Sequence, residues 1–95
     1  MWYISTSNAG SWSWVKSEYP LDKEKSAALD DFISRFGLDA VRVVYSGDMC
    51  FSKFELINDD TLDTIPVDCF RQTYGAELKV YDARVPHYET PVRIF

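Results

Sequence analysis

The chain has 95 residues, enough for one domain that buries about 60–65 % of its unfolded surface. Ten Lys and Arg against fifteen Asp and Glu leave a formal charge of −5, and 46 % hydrophobic with 16 % aromatic residues describe a packed chain, not a disordered one. There is too little material for a cofactor domain beside a substrate domain, and no run of about 18 apolar residues could span a membrane as a helix.

The opening Met1-Trp2-Tyr3-Ile4-Ser5-Thr6-Ser7-Asn8 has neither a basic nor an apolar leader region, so a cytoplasmic location is expected. A first hairpin is predicted from Trp2–Thr6 and Ser11–Val15, which flank the turn-forming Ser7-Asn8-Ala9-Gly10. With Thr6 opposite Ser11, one face holds Tyr3, Ser5, Trp12 and Trp14, and the other holds Trp2, Ile4, Ser13 and Val15. One face should cover the core and the other present a contact patch.

Residues 22–36 predict a helix, because Leu29, Phe32, Ile33 and Phe36 fall on one stripe. Asp22 suits its N-cap, Gly37 its C-terminal stop, and Asp31–Arg35 an i,i+4 ion pair. A second hairpin is expected from Val41–Ser46 and Met49–Ile57 around Gly47-Asp48, a pair suited to a type II′ turn. It places Val41, Val43, Tyr45, Cys50 and Phe54 on a core face, with Arg42, Val44, Phe51 and Lys53 opposite. Asn58–Thr64 reads as a polar loop. Ile65–Tyr74 reads as a short helix capped by Thr64, with Val67, Phe70 and Tyr74 buried and Gly75 ending it. Leu78–Val85 is a strand stopped by Pro86, and Val92–Phe95 a short edge strand. The expected architecture is a single α+β domain over 1–95, a two-layer sandwich of order ββ-α-ββ-α-β(β). Its mainly antiparallel sheet carries two helices packed on one face.

The charge is localised. Between Asp48 and Asp68 six acids (Asp48, Glu55, Asp59, Asp60, Asp63 and Asp68) face one base, Lys53, so this window holds the whole net −5. Solvated acids ahead of a helix are the plain explanation. A contact surface for a basic partner is the functional one. A calcium loop is the third, but Asp59, Thr61 and Asp63 lack the Gly and Glu that an EF-hand requires at its sixth and twelfth positions.

No phosphate-binding glycine loop, nucleophile elbow or zinc-protease motif occurs, so no cofactor and no metal site are expected. Cys50 and Cys69 read as reduced buried thiols, with a disulfide between them left open by the spacing. The lone His87, near Asp82 and Glu89, reads as a surface residue in a Pro-flanked loop. Direct nucleic-acid binding is not expected, since an acidic chain without a basic run repels the phosphate backbone. The stretch Tyr3-Ile4-Ser5-Thr6-Ser7-Asn8-Ala9-Gly10-Ser11, followed by Trp14, resembles the start of acidic antirestriction proteins that mimic DNA. The likeness covers fewer than a sixth of the residues, those proteins are longer and more acidic, and no site residue is carried over from them.

The sequence therefore points to a small non-catalytic protein that binds another macromolecule. Its expected role is an acidic inhibitor of a nucleic-acid-handling protein, as in phage anti-CRISPR or antirestriction proteins or nuclease immunity proteins, acting by steric or electrostatic blockade. Asp59, Asp60, Asp63 and Glu55 would meet a protein partner's basic surface, and Trp2, Trp12 and Trp14 would anchor it. No membrane contact is expected. The alternatives are a structural subunit or homodimer using the aromatic hairpin, a small-ligand or glycan binder using the Trp face, and an enzyme dependent on His87.

Overall fold

The computed structural model describes residues 1–10, 12–48, 51–85 and 92–95. Its elements are β1 (Trp2–Ala9), β2 (Trp14–Pro20), α1 (Lys23–Phe36), a short 3-10 turn (Leu38–Ala40), β3 (Val41–Gly47), β4 (Lys53–Asn58), β5 (Thr64–Arg71) and β6 (Glu77–Asp82). The strands form one six-stranded sheet in the order β2-β1-β4-β5-β3-β6. Every neighbouring pair is antiparallel except β3 and β5, which run parallel. The class is α+β, with one helix where two were expected. Among the described residues, no helix is long and apolar enough to cross a membrane.

The helix forms where its sequence asks for it. Asp22 accepts a hydrogen bond from the Glu24 N–H at 2.9 Å, Arg35 pairs with Asp31 at 3.3 Å, and Gly37 stops the helix at φ 93° while its N–H donates to the Ile33 carbonyl. Its buried side adds Leu29 to a core formed with Trp2, Leu21, Val41, Val43, Leu56, Ile65, Val67 and Val80. Trp2 fastens the helix to the sheet: its backbone N–H donates to Ser26 Oγ at 3.0 Å and its indole Nε1–H to Asp30 Oδ1 at 2.8 Å.

The segment expected as a second helix is β5. Ile65 and Val67 are buried while Pro66, Asp68 and Phe70 are exposed, so a period of two prevails over the i, i+3, i+7 stripe. Pro66 is tolerated in an interior strand for a local reason. Asn58 N–H donates to the Asp63 carbonyl, so the bonds from β5 to β4 fall on Ile65 and not on Pro66. The missing Pro66 donor instead points towards β3, whose pairing begins only at Val67.

The expected second hairpin is also replaced. β3 pairs with β5 and β6, whereas β4 pairs with β1 and β5. Gly47 does not open a turn; it ends β3 beneath the Tyr45 ring, where an added Cβ would overlap the Tyr45 hydroxyl and lie 2.6 Å from Cζ. In the first hairpin Thr6 faces Ser17 rather than Ser11. The six-place shift is even, so Tyr3, Ser5 and Trp14 still share one face and Trp2, Ile4 and Val15 the other. The expected strand 78–85 is the shorter β6, and Val92–Phe95 lies against it through Asp82 N–H to Val92 O and Ile94 N–H to Val80 O, both 2.8 Å.

Candidate functional site

The side chains on the helix side of the sheet come from alternate positions: Trp2, Ile4, Thr6 and Asn8 on β1, Val15, Ser17 and Tyr19 on β2, Phe54 and Leu56 on β4, Val43 and Tyr45 on β3, and Leu78 and Val80 on β6. The helix covers only part of this face. Its first half meets Trp2 at the start of β1, and its last turn meets Arg84 just beyond β6. It therefore lies crosswise over one end of the strands. A helix of 14 residues is about 21 Å long, matching the roughly 24 Å across six strands, but about 10 Å wide, which is half the length of a typical strand here.

Among the described residues, the half that α1 does not cover is a groove of about 490 Å³, lined by Ile4, Thr6, Asn8, Ser17, Tyr19, Tyr45, Phe51, Phe54 and Leu78. Three rings pack along it, with centroids 5.1 Å apart for Tyr45 and Phe54, 5.3 Å for Phe51 and Phe54, and 6.2 Å for Tyr45 and Phe51. Phe51, expected on the opposite face, joins this group because β4 begins only at Lys53. Tyr19 closes the β2 side at 59 % exposure. Thr6, Asn8 and Ser17 give the groove hydroxyl and amide groups beside the rings. The residues of the groove were legible as core or hairpin positions, not as a site. The missing signal was the count of helices, since a second helix would have covered this half.

The expected acidic surface is built around Asn58, which is buried. Its side-chain oxygen accepts from the N–H of Asp60 at 2.8 Å and of Thr61 at 3.2 Å, and its amide donates to Asp30 at 3.4 Å. Thr61 Oγ1 donates to Asp63 at 2.9 Å, and Leu62 turns the chain at φ 64°. Asp30, Asp59, Asp60 and Asp63 thus gather at one end of the sheet, with Asp30 added from a helix 28 residues away in sequence from Asn58. The Met1 amine sits 3.1 Å from both Asp59 and Asp60. Their hydrogen bonds hold its pKa above the ordinary 8.0, and its charge offsets part of the acidic field.

Glu55 is apart from this cluster, on the helix-free face of β4, 3.6 Å from Lys53. That face carries further ion pairs, Lys16–Glu18, Arg42–Asp68 and Lys79–Glu77, and reads as a solvated surface. Of the three tryptophans expected at the contact surface, Trp2 is instead a core residue, 1 % exposed. Trp14 projects from the helix-free face at 64 % exposure, and Trp12 lies at the hairpin tip at 98 %. They are not brought together with the acids. Cys50 and His87, and with them the Cys50–Cys69 pairing, lie outside the described residues; Cys69 is half-buried on β5. Among the described residues, no three His, Cys, Asp or Glu side chains are grouped to hold a metal ion.

A second, smaller concavity of about 320 Å³ lies between α1 and the C-terminal segment. Beside it the Arg84 guanidinium stacks 3.5 Å from the Phe36 ring centroid and pairs with Asp82 at 2.8 Å, which holds the Asp82 carboxyl below its ordinary range. This cluster ties the helix C-terminus to β6.

Comparison with protein-family models, curated proteins and solved structures finds no match to the chain.

Proposed function

We propose that the chain is a non-catalytic binding protein that acts by docking on another protein, with the aromatic groove beside α1 as its contact site. The single observation that carries this reading is the half-buried Tyr45–Phe51–Phe54 ring cluster that lines a groove on the half of the sheet that the helix does not reach. Aromatic rings in a concave site are the residues that dominate binding energy at protein interfaces, and the Ser17 hydroxyl lies beside them, while the Asn8 side-chain oxygen already accepts from the Ser52 N–H at 2.9 Å. A groove of this kind suits a protruding side chain or an extended segment of a partner. A small molecule typically requires burial of about 70–90 % of its surface.

The specific role we assign is blockade of a nucleic-acid-handling protein, the role of anti-defence and immunity proteins. A net charge of −5 favours a basic partner, and the joining of Asp30 to Asp59, Asp60 and Asp63 makes the acidic end a denser feature than the loop alone. The two surfaces make different predictions. Capture from nuclease-treated host lysate is compared for the native chain, for Phe51→Ser, and for the triple variant Asp59→Lys, Asp60→Lys and Asp63→Lys. A groove partner is lost with Phe51→Ser and kept by the triple variant, and its nucleic-acid-processing activity falls when the native chain is added. Loss only in the triple variant transfers the role to the acidic end. A captured partner indifferent to both changes overturns both sites.

A further inference from the structure

The two edges of the sheet are finished differently. At the β6 edge, Val92–Phe95 runs alongside and takes up backbone groups of Val80 and Asp82. At the other edge, β2 has no neighbour beyond it among the described residues, although Trp14, Val15 and Tyr19 are 64 %, 59 % and 59 % exposed. An uncovered edge strand with large apolar side chains is a template for pairing with another chain.

The register with β1 shows which backbone groups of β2 face away from it. Leu21 N–H donates to the Trp2 carbonyl at 2.9 Å, so the odd-numbered residues of β2 bond inward to β1. The N–H and C=O groups of Trp14, Lys16 and Glu18 therefore point outward. Pro20, which has no N–H, falls in the same outward set, the one place where an edge strand tolerates it.

The geometry points to a second copy of this chain as the occupant of that edge, with β2 pairing antiparallel to β2 about a two-fold axis through Ser17. Ser17 is the midpoint of Trp14–Pro20, so the whole strand is used. In this register Lys16 meets Glu18 of the second copy and exchanges both backbone hydrogen bonds with it, and Glu18 does the same with Lys16 of the second copy. Trp14 N–H reaches the Pro20 carbonyl of the second copy. On the groove face Val15 meets Tyr19, a β-branched and aromatic pair. Lys16 would ordinarily protect an edge against pairing; it pairs with Glu18 of its own strand at 2.9 Å, and in this register it also meets Glu18 of the second copy. A shift of two residues either way would break these matches and set Lys16 opposite Lys16 or Glu18 opposite Glu18. The pairing also carries the helix-covered face across the axis, so that Tyr19, which closes the aromatic groove, stands beside Val15 of the second copy.

The test is the solution mass by light scattering after size exclusion at micromolar to submillimolar concentration, with circular dichroism to confirm folding. The native chain should have twice its 11.0 kDa. Lys16→Glu and Glu18→Lys, each alone, place like charges opposite one another and should weaken the dimer at least tenfold. The double variant Lys16→Glu with Glu18→Lys restores opposite charges and should restore the dimer. A native monomer throughout the concentration range overturns the proposal. So does a dimer that survives both single reversals, or one that the double exchange fails to recover. Because the readout is mass and not partner capture, failure here leaves the groove assignment standing.

Discussion

The hydrogen bond from the Trp2 indole to Asp30 offers a direct test of how α1 is fixed to the sheet. Trp2→Phe keeps a buried ring but removes the Nε1–H donor, and Asp30→Ala removes the acceptor. A hydrogen bond to a charged acceptor contributes about 1.5–3 kcal/mol where the acceptor stays dry. Asp30 is exposed and regains water once the indole is gone, so the coupling should fall at or below that lower limit, about 1–1.5 kcal/mol. Trp2→Phe by itself should cost more, about 2–3 kcal/mol, because the smaller ring also leaves a void in a residue that is 1 % exposed. The double-mutant cycle, read by urea unfolding, separates the two contributions. Trp2 is also the one tryptophan shielded from solvent, so its removal should leave only red-shifted emission that is readily quenched by iodide. A coupling below about 0.3 kcal/mol, or native Trp emission fully open to iodide, would refute the anchoring of the helix through Trp2.

Other outcomes follow from the same packing. Leu29→Ala empties the centre of the only α-helix among the described residues and should cost about 3–4 kcal/mol, lowering the melting temperature by roughly 12–25 °C. Gly47→Ala forces the Tyr45 ring aside and should cost about 1–3 kcal/mol; altered Phe54 ring resonances by NMR would accompany it, and unchanged ones would contradict the stated geometry. Leu62 is 77 % exposed at φ 64°, so Leu62→Gly should stabilise by up to about 1 kcal/mol in thermal melts. Two groups contribute a pH response that can be isolated. The raised pKa of the Met1 amine gives stability that is full below its ordinary 8.0 and lost as pH rises through the folded value, and N-acetylation should abolish this alkaline loss. The lowered pKa of Asp82 gives stability present above its ordinary range and lost as pH falls through the folded value, and Asp82→Asn should flatten that acid limb in pH-dependent urea unfolding.

Local patterns carried much of the fold. The stripe from Leu29 to Phe36, the Asp22 cap and the Gly37 stop needed only residues within a few turns of one another, so α1 was legible locally, while packing on Trp2 and the sheet stabilises it. Face parity in the first hairpin was legible for a similar reason: alternation survives an even slip in register, although the register itself does not. Residues 64–71 show where local reading ends. Val67, Phe70 and Tyr74 satisfy a helical stripe and Ile65 with Val67 a strand alternation, and the choice falls to the slot open between β4 and β3, which buries Ile65 and Val67 and leaves Phe70 and Tyr74 exposed. Gly47 likewise satisfies a turn and a strand end, and the Tyr45 ring above it decides. The acidic loop was visible as composition, but Asp30 and the Met1 amine reached it only through tertiary contact. The groove was set by the same event that removed the second helix. Sequence determines which side chains a strand turns to one face; how much of that face remains open depends on what else the chain has left to lay across it.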